Sequence, residues 1–411
     1  MSHKGQLVDP EKERRKIKAV ARLKKIMRNY YWRAKTAHWW RKKVAWITSG
    51  GPVEPLLAMD VIPIYPENHG AMIGASKMGQ PLCNAAENLG YSQDLCSYFR
   101  ADIGSSLTKG GPIGGLPQPD FLVCCNNICG TVLKWYEIQA RFYRVPLFIF
   151  DTPFIHREFS PDAQIYVKRQ MQEFIDFLEA VCRRRFDYQK FQKVGHLSIQ
   201  AQRLWQEVLD CCVHKPAPMS AFDAFFHLAL IVTLRGTQVV VDYYTQLLQE
   251  LKDRIEQGIA MVPHEKYRLL WDNIPIWYRT RWLSEKFSSY HACLVADTYT
   301  SAWSGVVHLL DENRLLDSMA LAYSNIHLNI SIDQMFDKIK RLITKYAVDG
   351  VVMHSNRSCK PYSFGQYDLQ QMITAEMQIP VLILEADMVD ERSFSESQIE
   401  TRIDAFMESL G

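Results

Sequence analysis

The sequence predicts an α/β fold with two lobes, each built on a parallel sheet flanked by helices, plus a helical region between them. Two observations predict this arrangement. Three segments repeat the order apolar strand, polar turn, helix, apolar strand, which is the unit that builds parallel sheets with helices on both faces. Between the second and third segments, roughly Pro161 to Gln257, the pattern changes to long helical periods with few strand signals.

The first lobe, residues 44–160, contains the first two repeats. Its predicted strands are Val44–Thr48, Val61–Tyr65, Phe121–Cys125 and Pro146–Phe150. A short helix from Leu56 to Met59 and a longer one from Thr131 to Tyr143 connect them. Pro52 suits the first turn of a helix, where the missing N–H costs nothing.

A helical region follows at residues 161–262, with helices predicted over Tyr166–Val181 and Ala224–Arg235. The second lobe, residues 263–411, contains the third repeat and a fourth candidate unit. Its predicted strands are Gly350–His354, Pro380–Leu384, Ile274–Trp277 and Ala292–Val295. Its predicted helices run from Arg279 to Tyr290 and from about Pro361 to Met377.

The N-terminal segment, residues 1–43, is strongly basic and reads as helical. From Glu11 to Lys43 the local net charge is +12, whereas the whole chain carries +3. Apolar residues recur at helix spacing, at Val20, Leu23, Ile26 and Met27. A solvated face, a partner subunit and the phosphates of a nucleotide-like substrate such as coenzyme A all fit this charge. No nucleic-acid motif accompanies it, so we expect no nucleic-acid partner.

Composition restricts the class of protein. The chain has 411 residues, of which 47% are hydrophobic and 23% charged, as in globular proteins. No apolar run approaches the ~18 residues of a membrane span. The start, Met1 to Lys4, opens no apolar signal region, so we expect a cytoplasmic protein. Ten cysteines in such a setting are expected to be reduced.

The cysteines divide into two groups. Seven are interpreted as structural, because they fall in predicted strands or helices or in an ambiguous position: Cys83, Cys124, Cys125, Cys182, Cys211, Cys212 and Cys293. Cys96 lies in a polar loop or helix start, and Cys129 and Cys359 each lie at a helix N-terminus, where N–H groups favour a thiolate. With no Cys-x-x-Cys pair, three distant cysteines leave both a shared metal site and separate structural roles open.

Strand ends locate the candidate chemistry. Ser49, Glu67, Cys129 and Cys359 each follow closely after a predicted strand. Ligands of open α/β sheets bind beyond the carboxyl ends of the strands. We therefore expect these four residues to face a common cleft between the lobes.

Four motifs resemble the catalytic subunits of 2-hydroxyacyl-CoA dehydratases and benzoyl-CoA reductases, in order and spacing, from about residue 40 to the C-terminus. They are Tyr65-Pro66-Glu67-Asn68-His69, Asp94-Leu95-Cys96-Ser97-Tyr98, Cys124-Cys125-Asn126-Asn127-Ile128-Cys129 and Asn356-Arg357-Ser358-Cys359-Lys360. The resemblance implies a [4Fe–4S] cluster held by Cys96, Cys129 and Cys359, with one iron left open. It also implies an acyl-CoA substrate, a homologous second iron–sulfur subunit and a separate ATP-hydrolysing iron–sulfur activator. The chain contains no P-loop motif of its own, which agrees with that division of labour.

The same resemblance assigns roles near the cluster. It makes Glu67 an acid/base or cluster-proximal carboxylate and Ser49 a hydrogen-bond donor to substrate or water. A turn-capping carboxylate and a helix N-cap are the structural alternatives for these two residues. His69 is a candidate proton donor, with a structural histidine as its alternative. Arg357 is a candidate for binding the cluster's charge or a coenzyme A phosphate, with an ordinary salt bridge as its alternative.

Two classes of function follow. The first is an enzyme in which a low-potential electron reaches an acyl-CoA thioester. In a dehydratase the resulting ketyl radical expels the neighbouring hydroxyl group, and in a reductase electrons enter an aromatic ring. The run from Pro66 to Met72 favours the benzoyl-CoA reductase type by a narrow margin, with the (R)-2-hydroxyacyl-CoA dehydratase as the alternative. The second class is a non-catalytic electron carrier or assembly partner with the same fold.

Overall fold

A computed structural model describes residues 15–411, so residues 1–14 of the predicted basic segment lie outside the described residues. The chain forms two four-stranded sheets in which all strands are parallel. The strands are β1 Val44–Ile47, β2 Ile62–Ile64, β3 Phe121–Cys125, β4 Leu147–Phe150, β5 Tyr267–Asp272, β6 Ala292–Asp297, β7 Gly350–Asn356 and β8 Val381–Ala386. Their spatial orders are β2-β1-β3-β4 and β6-β5-β7-β8. The predicted α/β fold with two parallel sheets is confirmed.

Helices cover both faces of the sheets. Those of the first lobe are α1 Val20–Lys35, α2 Glu54–Ala58, α3 Pro66–Ala75, α4 Gly79–Glu87, α5 Ser97–Thr108 and α6 Thr131–Tyr143. Between the sheets lie α7 Pro161–Cys182, α8 Tyr188–Asp210, α9 Ala221–His227, α10 Ala229–Leu234 and α11 Gln238–Glu256. The second lobe has α12 Thr280–Ser289, α13 Thr298–Ser301, α14 Leu315–Ser324, α15 Ile332–Tyr346, α16 Lys360–Ser363, α17 Gln366–Met377 and α18 Glu396–Ser409.

Alternation along the central strands divides the interior into two cores. In β1, Ala45 and Ile47 pack into one core and Val44 and Trp46 into the other. Successive side chains of a strand point to opposite faces, and a parallel sheet buries both. This explains why the strands are apolar at nearly every position and could be recognised in the sequence.

One predicted strand is wrong. Ile274–Trp277 is irregular, and the strand of this unit is β5, Tyr267–Asp272. β5 was not predicted because it contains a charged residue, Arg268, which is buried. Arg268 donates to Glu265 at 2.5 Å and to the carbonyl oxygens of Cys212 and Tyr346 at 2.5 and 2.8 Å. A buried charge needs such partners, and Cys212 and Tyr346 come from distant parts of the chain, whereas Glu265 is three residues away.

Two predicted helices are interrupted, and the one predicted over Tyr166–Val181 is longer, as α7. The helix predicted from Pro361 to Met377 is divided into α16 and α17, and the one predicted from Ala224 to Arg235 is divided into α9 and α10. The helix predicted over Thr131–Tyr143 is confirmed as α6, and the basic segment forms α1 from Val20. Within the described chain, every helix is too short or too polar to cross a bilayer.

Candidate functional site

One cavity of about 160 Å³ collects the predicted site residues of both lobes. Its wall contains Ser49, Glu67, Cys96, Cys129 and Cys359. We call it the cysteine cavity. Three of these residues follow strands β1, β3 and β7, and Glu67 starts α3 just after β2, so the carboxyl ends of both sheets face it.

Each cavity cysteine lies at the start of a helix. Cys96 and Cys359 directly precede α5 and α16, and Cys129 lies two residues before α6. Backbone N–H groups at these helix starts point at the sulfurs: those of Tyr98 and Phe99 for Cys96, Thr131 and Val132 for Cys129, and Tyr362 for Cys359. Unpaired N–H groups and the helix dipole stabilise negative charge there.

The three thiols also act on one another. Burial, together with the neighbouring Cys129, raises the pKa of Cys96 to about 12. Burial, Cys96 and Cys129 together raise the pKa of Cys359 well above its usual value. Such thiols stay protonated unless a cation compensates the thiolates. Iron provides that compensation, so the donor set fits a metal group.

The described residues contain no site for a single metal ion. Within residues 15–411 no three histidine, cysteine, aspartate or glutamate side chains come close enough to share one. In an iron–sulfur cluster each cysteine binds its own iron, so three cysteines that line one cavity need not meet at a point.

A hydrogen-bonded tie joins the two lobes beside the cysteines. The backbone N–H of Ser97 donates to Ser358 Oγ at 3.1 Å, and that hydroxyl donates to Asp387 Oδ2 at 2.5 Å. Asp387 Oδ1 accepts the N–H groups of Val389 and Asp390. Because Ser97 follows Cys96 and Ser358 precedes Cys359, this tie fixes the separation of two candidate ligands.

A buried arginine adds a second tie. Arg100 donates through Nε to the carbonyl oxygen of Leu95 at 3.0 Å. Its Nη1 lies 2.5 Å from Glu87 and 2.8 Å from Asp390, which belongs to the second lobe. The loop that carries Cys96 is thus held from both sides.

Glu67 is the buried carboxylate of the cavity. It is 9% exposed, its Oε1 accepts the N–H of Ser49 at 3.2 Å, and its Oε2 accepts the hydroxyl of Tyr136 at 3.4 Å. Burial is the main cause that raises the pKa of Glu67 to about 7. A carboxyl group with this pKa exchanges protons near neutral pH.

Two side chains from other parts of the chain bind the turn after β1. Asn127 Nδ2 donates to the carbonyl oxygens of Gly50 and Tyr323 at 2.8 and 2.7 Å, and Arg235 Nη2 donates to that of Gly51 at 2.7 Å. A Cβ on Gly50 would lie 2.7 Å from Ile128 and 2.8 Å from Asn127. Glycine is therefore required for the two cavity loops to approach this closely.

Aromatic side chains form much of the remaining wall, and the sequence analysis did not identify them. They are Tyr98, Trp135, Tyr299, Trp303 and Tyr362. Tyr98 accepts a hydrogen bond from Trp277 Nε1 at 2.6 Å, which fixes its ring across the lobe boundary. Tyr98 and Tyr362 lie two and three residues after cavity cysteines, so proximity in sequence was a usable signal for them.

Two predicted site residues lie elsewhere. His69 is fully buried on α3, neither ring nitrogen has a hydrogen-bond partner, and burial lowers its pKa to about 4. Gly111 lies against the imidazole ring of His69. Arg357 is 61% exposed and its Nη2 lies 3.5 Å from Glu385, which is the salt-bridge alternative. Neither residue lines the cysteine cavity.

The other seven cysteines are free thiols. Six of them are buried: Cys83, Cys124, Cys125, Cys211, Cys212 and Cys293. Cys182 is half-buried on α7. None of the seven lines the cysteine cavity, which agrees with a structural role.

Comparison with known proteins places this geometry in a family. The family described as 2-hydroxyglutaryl-CoA dehydratase, D-component, matches residues 48–410. The chain is 34% identical to the (R)-2-hydroxyisocaproyl-CoA dehydratase alpha subunit of Clostridioides difficile, over 90% of each chain. It is 34% identical to the (R)-phenyllactyl-CoA dehydratase alpha subunit of Clostridium sporogenes, over 98% of each. It is 26% identical to a benzoyl-CoA reductase subunit of Thauera aromatica, over 90% of this chain and 89% of that one. The match over nearly the whole chain shows that this protein is an enzyme of the 2-hydroxyglutaryl-CoA dehydratase D-component family.

Proposed function

We propose that the chain is the iron–sulfur subunit of an (R)-2-hydroxyacyl-CoA dehydratase, with Cys96, Cys129 and Cys359 as ligands of a [4Fe–4S] cluster. One observation carries the proposal: three helix-start cysteines from both lobes line one cavity together with a buried carboxylate of raised pKa. The relatives at 34% identity are named as dehydratase alpha subunits, which favours this reaction over the ring reduction that the Pro66–Met72 run suggested.

The cluster would supply a low-potential electron and an iron position that three protein ligands leave open. The chain's own residues then prepare the site around the acyl-CoA thioester. The N–H groups at the starts of α5, α6 and α16 stabilise negative charge at the sulfurs. The Ser97–Ser358 and Arg100–Asp390 contacts keep the ligand loops of the two lobes in register.

Glu67 is the group that donates or accepts a proton in this proposal. Elimination of water removes a proton from the carbon chain and adds one to the departing hydroxyl group. With a pKa of about 7, Glu67 can hold a proton at Oε2 or accept one there near neutral pH. Ser49 N–H binds the other oxygen and fixes the orientation of the carboxyl group.

The aromatic wall excludes water from this chemistry. Trp135 and Tyr98 are buried, and the cavity surface they share is predominantly apolar. A dry site strengthens electrostatic interactions and protects a reactive radical from side reactions.

The partners belong to the same proposal. The three relatives named above are all described as subunits of larger enzymes, so we infer a second, homologous iron–sulfur subunit. Because the sequence has no P-loop, ATP hydrolysis is assigned to a separate iron–sulfur activator.

A second candidate reaction is the reduction of benzoyl-CoA. It is favoured by the relative named as a benzoyl-CoA reductase subunit and by the Pro66–Met72 run. The same cavity would then hold an aromatic ring against Tyr98, Trp135 and Tyr299. Both reactions use the same cluster ligands, so only turnover distinguishes them.

The test is anaerobic co-purification with the partner subunit and activator, followed by iron and sulfide analysis. Turnover is then measured with (R)-2-hydroxyacyl-CoA esters of small aliphatic and aromatic acids and with benzoyl-CoA. We expect about four irons per chain and dehydration without ring reduction. Fewer than about two irons per chain after reconstitution would refute the cluster, and ring reduction alone would transfer the assignment to the reductase. EPR distinguishes the enzyme from a non-catalytic electron carrier. Addition of acyl-CoA should change the EPR spectrum of the cluster in an enzyme and leave that of a carrier unchanged.

A further inference from the structure

A second and larger cavity, of about 600 Å³, adjoins the cysteine cavity. It lies between α8, the segment from Thr298 to Leu309, and α15. Ala302 and His327 line both cavities, so the two share a wall. The ring of His327 also packs on Tyr362 of the cysteine cavity, with centroids 5.6 Å apart. We call this second space the anion cavity, because two cations, Lys338 and Arg341, line it.

Two cations of α15 face the anion cavity without a counter-ion. Lys338 donates only to the carbonyl oxygen of Asn325, at 3.3 Å, and Arg341 forms no hydrogen bond or salt bridge within residues 15–411. Burial, together with the nearby Arg341, lowers the pKa of Lys338 to about 8. Asp337 is the one carboxylate among the described residues of the lining.

The other cations of the same helix show the contrast. Lys340 pairs with Glu376 at 2.8 Å and Lys345 pairs with Asp210 at 2.5 Å, and neither lines the cavity. Cations outside the cavity therefore have carboxylate partners, and the two that face it have none. Two unpaired cations, the half-buried Lys338 and the exposed Arg341, create a positive field along this wall, which an anionic ligand would neutralise.

We propose that the anion cavity binds the phosphate groups of a coenzyme A thioester through Lys338 and Arg341, while the thioester reaches the cysteine cavity past His327. This rests on the proposed function, which requires an acyl-CoA substrate. A coenzyme A ester has a reactive acyl end, a long amide-containing arm and a phosphate-bearing end. The structure offers matching surfaces in that order: an apolar cavity, a shared wall at Ala302 and His327, and a roomy cavity with free cations.

Polar residues also line the anion cavity, among them Gln206, Ser301 and Asn325. Their side chains donate within the protein, to Asp210, Asp297 and Leu321 respectively. The side-chain oxygens of Ser301 and Asn325 keep acceptor capacity for the amide N–H groups of the arm. Lys338 lies close enough to lower the pKa of His327, so it marks the inner end of the cavity near the shared wall. Arg341 lies one turn further along α15, which places a second cation about 4.5 Å along the helix axis. The pair can therefore contact more than one phosphate oxygen.

The experiment measures binding of free coenzyme A, and separately of pantetheine, which lacks the phosphates, to the anaerobically purified enzyme complex. The variants are Lys338→Gln and Arg341→Gln. The matched control is Lys340→Gln on the same helix, whose side chain is outside the cavity. Steady-state KM and kcat with the best acyl-CoA substrate are measured in parallel.

We expect each cavity variant to weaken coenzyme A binding by roughly tenfold or more, as for loss of a charge-assisted hydrogen bond. Pantetheine binding should not change, KM should rise with kcat nearly constant, and Lys340→Gln should resemble the wild type. Unchanged coenzyme A affinity in both variants of an active enzyme would overturn this inference and leave the proposed function intact. Equal weakening for coenzyme A and pantetheine would also overturn it. A wild-type enzyme that neither binds coenzyme A nor turns over its esters would instead remove the proposed function itself.

Discussion

Replacement of Glu67 by glutamine should change how the stability of the chain depends on pH. Burial raises the pKa of Glu67 from its ordinary 4.5 to about 7 in the folded state. Between these values the folded state binds more protons than the unfolded state, so stability falls as pH rises through that window. Above pH 7 the ionised carboxylate costs the fold about 3 kcal/mol, at about 1.4 kcal/mol for each pH unit that separates the two pKa values.

Glutamine has nearly the same shape and does not ionise. The free energy of unfolding of Glu67→Gln, relative to wild type, should therefore rise by about 2–3 kcal/mol between pH 5 and pH 8. The altered hydrogen bond from Tyr136 contributes equally at both pH values and cancels in this comparison. Urea denaturation of the cluster-free chain at several pH values measures the difference.

The exposed Glu256 of α11 supplies the matched control, because Glu256→Gln removes the same charge from the surface. Parallel pH profiles for wild type and Glu67→Gln would refute the reasoning, since they would mean that Glu67 has the same pKa folded and unfolded. In the assembled enzyme the same variant should lower kcat by a factor of about 10² to 10⁴ if Glu67 transfers a proton. An unchanged kcat would restrict Glu67 to a structural role.

Three further predictions concern the ligands and the ties between the lobes. Serine at Cys96, Cys129 or Cys359 should each lower the iron content and the visible absorbance of the reconstituted chain, while Cys83→Ser in the core should keep both. Ser358→Ala leaves the Ser97 N–H and Asp387 Oδ2 without their partner and should cost about 1–3 kcal/mol in urea unfolding, with faster loss of iron. A cost below about 0.5 kcal/mol would show that the tie is not formed. Arg100→Met removes one of the two arginines that bind Glu87 and Asp390, since Arg392 contacts both as well, and should destabilise the chain by about 1–3 kcal/mol in urea unfolding. Because these arginines lower the pKa of both carboxyl groups, the loss should shrink only below the ordinary range of carboxyl pKa values.

The strands were predictable where both faces of the sheet are buried by apolar residues. Phe121–Cys125 agrees residue for residue between the sequence pattern and β3. β5 was misplaced because Arg268 and Asp272 interrupt its apolar run. Their burial depends on partners that only the folded chain brings together, such as Thr298 for Asp272 at 2.8 Å. Local pattern therefore finds strands of uniform composition and misses those that bury a satisfied charge.

The same distinction applies to the site. Cys129 and Cys359 were predictable from topology, because each follows a parallel strand and therefore lies at the same edge of its sheet. Cys96 follows no strand, and its position depends on the packing of α4 against α5, where Gly104 lies against the backbone of Leu82. Its place in a polar loop or helix start set it apart from the structural cysteines, and the resemblance of its motif to a known family assigned it to the cluster. The anion cavity could not be predicted from the sequence, because the local pattern does not show which cations of α15 form ion pairs with carboxylates.

The two lobes contribute different parts of the site, and this affects how a substrate can enter. The first lobe supplies Glu67, Ser49 and two of the three cysteines, whereas Cys359 and most of the anion cavity belong to the second. A large substrate must contact both, yet the lobes are joined beside the cysteines by the Ser97–Ser358 hydrogen bond and the buried Arg100–Asp390 pair. Separating the lobes would expose that ion pair and change the distance between Cys96 and Cys359, two of the proposed cluster ligands. The arrangement therefore favours entry of the acyl end through the anion cavity, past His327, with the lobes staying closed.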